Sequence, residues 1–122
     1  MSEKRQASIE EVGFSDQQRI EMAIQKLIEA RGWEIYHTPA QLVSALMVEC
    51  SELMQGCLWH TPEEVNELFQ KHDQYLVKEL ADIAINYYSI IHYCHLDVRE
   101  IVENKVDELL ERYSGLEKGS HR

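Results

Sequence analysis

The segment 42–54 reads LVSALMVECSELM, and the segment 76–91 reads LVKELADIAINYYSII. Each combines an apolar stripe of helical spacing with two acids three residues apart, Glu49/Glu52 in the first and Glu79/Asp82 in the second. In an α-helix residues three apart share a face, one turn from each other, so each segment presents two carboxylates side by side. Leu42, Ala45, Leu46, Leu53 and Met54 surround the first pair, and Leu76, Leu80, Ile83, Ala84, Tyr87 and Ile91 surround the second. The acids therefore border the apolar stripes instead of standing well outside them. Two such helices packed together would collect four carboxylates in one cleft. Carboxylates that close repel and are costly to desolvate, so they neutralise, recruit cations or bind metal. A hard divalent cation such as Mg²⁺ suits them, because it takes oxygen ligands and is commonly shared between carboxylates and substrate phosphates. The spacing alone leaves a second reading open. With 22 Asp and Glu in 122 residues, E-x-x-E and E-x-x-D pairs also arise as ordinary solvated helix faces.

Outward from these two segments the chain reads as helix after helix, with only five Gly and two Pro to interrupt it. Phe14-Ser15-Asp16 opens a helix with Ser15 as its cap, which continues through Ile20, Ala23, Ile24, Leu27 and Ile28 and stops near Gly32. After a connector from Trp33, Thr38 caps and Pro39 begins the first acidic helix, which is expected to run to about Trp59. Thr61-Pro62-Glu63-Glu64 repeats that opening with a capping box, ahead of a short helix through Val65, Leu68 and Phe69. The polar run Gln70 to Gln74 is either a break or the exposed face of a continuing helix. The second acidic helix spans Tyr75 to about His95, and Asn86 shares its acidic face because 79, 82 and 86 follow the helical period. Asp97 then caps a last helix through Ile101, Val102, Val106, Leu109 and Leu110 to about Tyr113. The fold class is all-α, a four-helix-bundle-like domain over 14–113 with one extra short helix, flanked by a flexible arm at 1–13 and a flexible tail at 114–122. Cys50, Cys57 and Trp59 are expected in or near the core.

Composition narrows the function. A net charge of −10 argues against a nucleic-acid polymer as partner, since phosphate backbones are met by clustered Lys and Arg; a bound nucleotide should bring its metal. No apolar run approaches the roughly 18 residues of a membrane helix, and the start of the chain lacks the pattern of a signal peptide. Three cysteines without a C-x-x-C spacing fit reduced thiols, so a cytoplasmic location is expected. The helices also carry more apolar positions than so thin a bundle buries alone, which predicts a homodimer or homotetramer.

Read together, Trp33-x-x-Tyr36-His37-Thr38-Pro39, Glu49-x-x-Glu52-Leu53 with Trp59, Glu79-Leu80-Ala81-Asp82, and Lys105 with Arg112-Tyr113 resemble the MazG-like nucleotide pyrophosphohydrolases of the all-α NTP pyrophosphatase superfamily. The resemblance covers about residues 20–113 and rests on order and spacing together. It implies Mg²⁺-dependent hydrolysis of a nucleoside triphosphate to a monophosphate and pyrophosphate, with Mn²⁺ able to substitute, and a housecleaning role on canonical or modified nucleotides. Glu49, Glu52, Glu79 and Asp82 match the family's metal-binding acids. A metal there would bridge triphosphate oxygens, neutralise developing charge and activate the attacking water. Glu49 or Glu52 is the expected general base. Trp33 and His37 fall where family members build part of the nucleotide pocket, with Asn86 on the acidic face beside them in the expected substrate set. Lys105 and Arg112, seven apart on one face, suit phosphate binding. One departure stands out: Leu109 occupies the place of a family Asn.

Three other readings are open to these residues. A di-iron carboxylate bundle needs two E-x-x-H motifs, and only Glu34-x-x-His37 fits, cut short by Thr38-Pro39. A zinc site at His92 and His95 lacks a second ligand segment. A non-catalytic helical binding module with a structural cation site is the alternative function, and the loss of the family Asn at Leu109 favours it.

Overall fold

The structure, a computed structural model, describes residues 13–119. The expected arm at 1–13 falls, except for Gly13, outside the described residues, as do the last three residues of the tail. The described chain is all-helical: α1 (Asp16–Arg31), a single 3-10 turn (Glu34–Tyr36), α2 (Pro39–Gln55), the short α3 (Pro62–Gln70), α4 (Gln74–Cys94) and α5 (Val98–Arg112).

Most helix starts are built by the local chemistry expected of them. The Ser15 hydroxyl accepts from the Gln18 N–H at 3.1 Å while Gln18 Oε1 accepts from the Ser15 N–H at 2.9 Å, a reciprocal capping box. Thr61 and Glu64 form the same box at the head of α3. Asp97 accepts from the Glu100 N–H at 2.9 Å to begin α5. Thr38 occupies the expected position ahead of α2, but its hydroxyl donates to Gln41 Oε1 at 2.9 Å and caps no backbone N–H. The polar run Gln70–Gln74 is a break. His72 takes a left-handed conformation (φ 55°), and Asp73 restarts the chain as α4 by accepting from the Leu76 N–H. Gly32 ends α1 in the same left-handed region (φ 64°), where glycine carries no Cβ penalty.

Helix α4 is the centre of the packing, lying mainly against α2 and secondarily against α1. The core is small: Ile24 and Ile28 of α1, Leu42 of α2, and Leu76 and Ile91 of α4. Neither α3 nor α5 buries a residue, so the bundle core is a three-helix one within this chain. A polar clamp orients the start of α5. Gln17 Nε2 donates to the Leu96 carbonyl at 2.8 Å, the Val98 N–H donates to Gln17 Oε1 at 2.7 Å, and Glu21 of α1 holds His92 Nδ1 at 2.8 Å.

Two expectations are corrected. Helix α2 ends at Gln55, not near Trp59: Gly56 closes it, and Trp59 itself has φ 69°, which no α-helix accommodates. Trp59 is 97% exposed and Cys50 is exposed, so neither is a core residue. Much other apolar surface is uncovered, including Val43, Met47 (70% exposed) and Met54 on α2, Leu80 on α4, and Val102, Val106 and Leu110 (66% exposed) on α5.

Candidate metal centre

Helices α2 and α4 run antiparallel. Tyr75 in the first turn of α4 meets Glu52 and Gly56 at the C-terminal end of α2, while Ser89 and Tyr93, toward the other end, share a cavity with Leu42. This register sets Glu49 and Glu52 across from Glu79 and Asp82. Carboxylate oxygens of Glu49, Glu79 and Asp82 lie within 4.8 Å of one another, and Glu52 joins them through a carboxyl–carboxyl hydrogen bond with Glu79. Glu79 is buried at 7% exposure, Glu49 and Glu52 are half-buried, and Asp82 is exposed, so the group is deep on one side and open to solvent on the other.

The crowding shows in the proton affinities. Burial, then the hydrogen bond that the protonated Glu79 donates to Glu52 and the charges of Glu52, Glu49 and Asp82, push Glu79 up to about 7. Glu49 is also raised, by burial first and then by Glu52 and Asp82. One oxygen of each, Glu49 Oε2 and Glu79 Oε2, is buried without a hydrogen-bond partner. A buried acceptor left unpaired is destabilising, so an arrangement with two of them at one point is built for something that supplies positive charge. The donor set fits a hard divalent cation. Such ions bind oxygens at about 2.1 Å, which separates opposite ligands by about 4 Å, close to the spread of the three carboxylates.

The remaining sequence-derived residues fall at different places. Asn86 continues the acidic face of α4 one turn beyond Asp82 and donates its amide to the Asp82 carbonyl at 3.1 Å. The same face leads on to Ser89, about 10 Å along the axis from Asp82, given the helical rise. There a cavity of about 170 Å³ is lined by Gln25, Glu34, His37, Leu42 and Ser89 among others, which brings His37 to the far end of the acidic face. Trp33 is outside that lining and packs under the Arg31 guanidinium, 5.8 Å from its ring centre. Lys105 and Arg112 both pair with Glu108 on their own helix, at 2.9 and 3.6 Å. Leu109 packs in an apolar hollow with Val106, Leu110, Tyr113 and Leu116.

Sequence reasoning missed Tyr75 and Gly56. The Tyr75 hydroxyl donates to the Glu52 carbonyl at 2.8 Å, and its ring lies where a side chain on Gly56 would be. The signal was available: 75, 79 and 82 follow the helical period, and Gly56 lies one turn beyond Glu52.

This fold is shared with a solved all-α pyrophosphatase. A crystal structure of a pyrophosphatase from Archaeoglobus fulgidus superimposes with a TM-score of 0.75 over 81% of this chain and 93% of that one, at 22% identity. In sequence the chain is similar to dCTP pyrophosphatase 1 of Rattus norvegicus, 33% identical over 85 residues, and of Mus musculus, 32% identical over 85 residues. Each match covers 68% of this chain and 50% of the relative, so the chain spans about half the length of the curated relatives it matches. No family model matches. The resemblance to the MazG-like nucleotide pyrophosphohydrolases, read first from the motifs, is borne out by these similarities.

Proposed function

We propose that this chain is a Mg²⁺-dependent nucleoside triphosphate pyrophosphohydrolase, cleaving between the α and β phosphates to give a nucleoside monophosphate and pyrophosphate. The observation that carries this reading is the convergence of Glu49, Glu79 and Asp82 from α2 and α4, with Glu52 hydrogen-bonded to Glu79 and two of the oxygens buried without a partner, in a fold shared with a pyrophosphatase. Glu49, Glu52, Glu79 and Asp82 would hold the cation, with Mn²⁺ able to replace Mg²⁺. When bound, that cation supplies neutralisation of the triphosphate charge and activation of water for attack on phosphorus.

The protein's own groups do the rest. Loading the site requires Glu79 to give up the proton it holds up to about pH 7, so ion binding and deprotonation are coupled. Glu49 and Glu52, half-buried beside the deepest acid, are the residues placed to take the proton of the attacking water. Asn86 lies beside the acids, and the His37 cavity stands a helical distance away comparable with the separation of phosphate and base in a nucleotide. Trp33 would join the base-side set by turning from under Arg31, and Lys105 and Arg112 would supply positive charge for phosphates after exchanging Glu108 for the substrate. Deoxycytidine triphosphate is the first substrate to try, given the activity named in the relatives.

The acting unit is the 14–113 domain in a homo-oligomer, a dimer or tetramer. Met47, Leu110 and their exposed apolar neighbours would be covered there, each full burial being worth about 1.5–3 kcal/mol. We place the protein in the cytoplasm, consistent with its three free cysteines. Among the described residues no helix is long and apolar enough to cross a membrane.

The test is product analysis on a panel of ribo- and deoxynucleoside triphosphates with Mg²⁺ or with chelator. Equal yields of monophosphate and pyrophosphate, only when Mg²⁺ is present, are expected. Release of orthophosphate with a diphosphate product, or no turnover of any nucleotide by folded protein, would overturn the reading.

A further inference from the structure

The last turn of α2 carries Glu52. Its carbonyls are met by the N–H groups of Gly56, Cys57 and Leu58, all within the turn through which the chain leaves toward the exposed Trp59, so these bonds shape the helix end without fastening it to α4. Four carboxylates nearby repel one another whenever they are ionised, which would push this end of α2 away from α4.

One side chain opposes that. The Glu52 carbonyl accepts from the Gly56 N–H at 3.2 Å and from the Tyr75 hydroxyl at 2.8 Å. Tyr75 belongs to α4, one turn before Glu79, so the contacts close a ring: Tyr75 to Glu79 through the helix, Glu79 to Glu52 through their carboxyls, and Glu52 back to Tyr75 through its carbonyl. Gly56 makes the closure possible by space, not by conformation. Its φ of −65° is open to any residue, but a Cβ there would stand 2.8 Å from Tyr75 Cε1 and 3.2 Å from Cδ1.

We propose that Tyr75 is a positioning residue of the metal site: its hydroxyl, seated over Gly56, ties the end of α2 to α4 and holds the Glu52 carboxylate at the distance from Glu79 that the cation needs. The proposal rests on the reading that the four acids bind a divalent cation. Tyr75 adds no carboxylate to the site, and its effect passes through the backbone of Glu52.

Tyr75→Phe tests this, since it keeps the ring over Gly56 and removes only the hydroxyl. The probe is Mn²⁺ alone, titrated without nucleotide and followed by the loss of the free-ion paramagnetic resonance signal. Amide exchange of Gly56, Cys57 and Leu58 is measured on the metal-free protein. Ile24→Val, in the core between α1 and α4, serves as a mildly destabilised control away from the acids. The expected result is a roughly three- to tenfold weaker Mn²⁺ affinity in Tyr75→Phe, the range of one net hydrogen bond. Faster exchange at the three amides and wild-type affinity in Ile24→Val complete it. Gly56→Ala, which displaces the ring, should weaken Mn²⁺ binding in the same direction. Wild-type affinity in Tyr75→Phe overturns the proposal even if the amides exchange faster, because the tie would then be purely structural. An equal loss in Ile24→Val overturns it as general loosening. Absence of Mn²⁺ binding by the wild-type protein removes the metal reading itself, and the proposal with it.

Discussion

The α2–α4 pair and helix α5 treat their charges in opposite ways. On α5, Lys105 and Arg112 flank Glu108 and both pair with it, and Arg99 pairs with Glu103 one turn on, so charge is neutralised locally and in solvent. Across α2 and α4, four acids instead converge, two of their oxygens are buried without a partner, and Glu79 keeps its proton up to about pH 7. Exposed pairs like those on α5 contribute little to stability and exchange partners readily. A buried acidic group is destabilising until something positive fills it. The contrast separates charge neutralised in place, free to exchange its partner for a substrate, from charge held against its own electrostatics, and the second kind marks the metal centre.

Breaking the acidic side should produce the largest effect. Asp82→Asn and Glu52→Gln should each lower pyrophosphate release by at least about a hundredfold, the upper end of what even outer partners of a metal cost. Steady-state kinetics at saturating Mg²⁺ checks this, and near-wild-type rates in either variant would dissolve the contrast.

The next effect is on stability against pH. In the unfolded chain the Glu79 carboxyl loses its proton near 4.5, but the folded chain holds it to about 7, so between those values the folded state binds more protons. The contribution of Glu79 to the stability of the metal-free protein is therefore fully present below the lower value and is lost as pH rises through the upper one. Melting temperatures in chelator should drop between about pH 5 and about pH 8, Mg²⁺ should recover more at the higher pH, and Glu79→Gln should flatten the profile. A metal-free protein that gains stability over that window would contradict the assignment.

On the α5 side the expected changes concern assembly and affinity. Leu110→Asp, at a 66% exposed position, should shift light-scattering mass toward a smaller species while leaving helix content unchanged. Smallest of all, Lys105→Ala should raise KM for the triphosphate by several-fold at most with kcat nearly unchanged, as expected for an exposed cation that contributes uniform binding. A collapse of kcat in that variant would move α5 into the chemistry and sharpen the account in the other direction.

What could be read from the sequence follows the range of the forces involved. The caps at Ser15, Thr61 and Asp97 are settled within four residues, and the two acidic pairs follow from helical period alone, so both were legible. The end of α2 was not. It depends on Gly56 accepting the ring of Tyr75 from another helix and on a left-handed Trp59, and neither is encoded in local propensity. Trp59 and Cys50 were expected inside on hydrophobicity, but a chain with a three-helix core leaves many apolar side chains exposed. At Thr38 the hydroxyl donates to Gln41 Oε1 and accepts from no backbone N–H, so the cap signal gave a side-chain pair instead. His37 reached a cavity only through the 3-10 turn that precedes it, a tertiary outcome that the motif placed but could not shape.

Every role proposed for the site depends on the four acids binding an ion. The most direct measurement is anomalous diffraction from crystals of the protein grown with Mn²⁺. An anomalous peak within coordination distance, roughly 2.0–2.4 Å, of carboxylate oxygens of Glu49, Glu79 and Asp82, with Glu52 turned toward it, is the predicted result. A map with no peak there, with Glu79 still sharing its proton with Glu52 at saturating Mn²⁺, would contradict it.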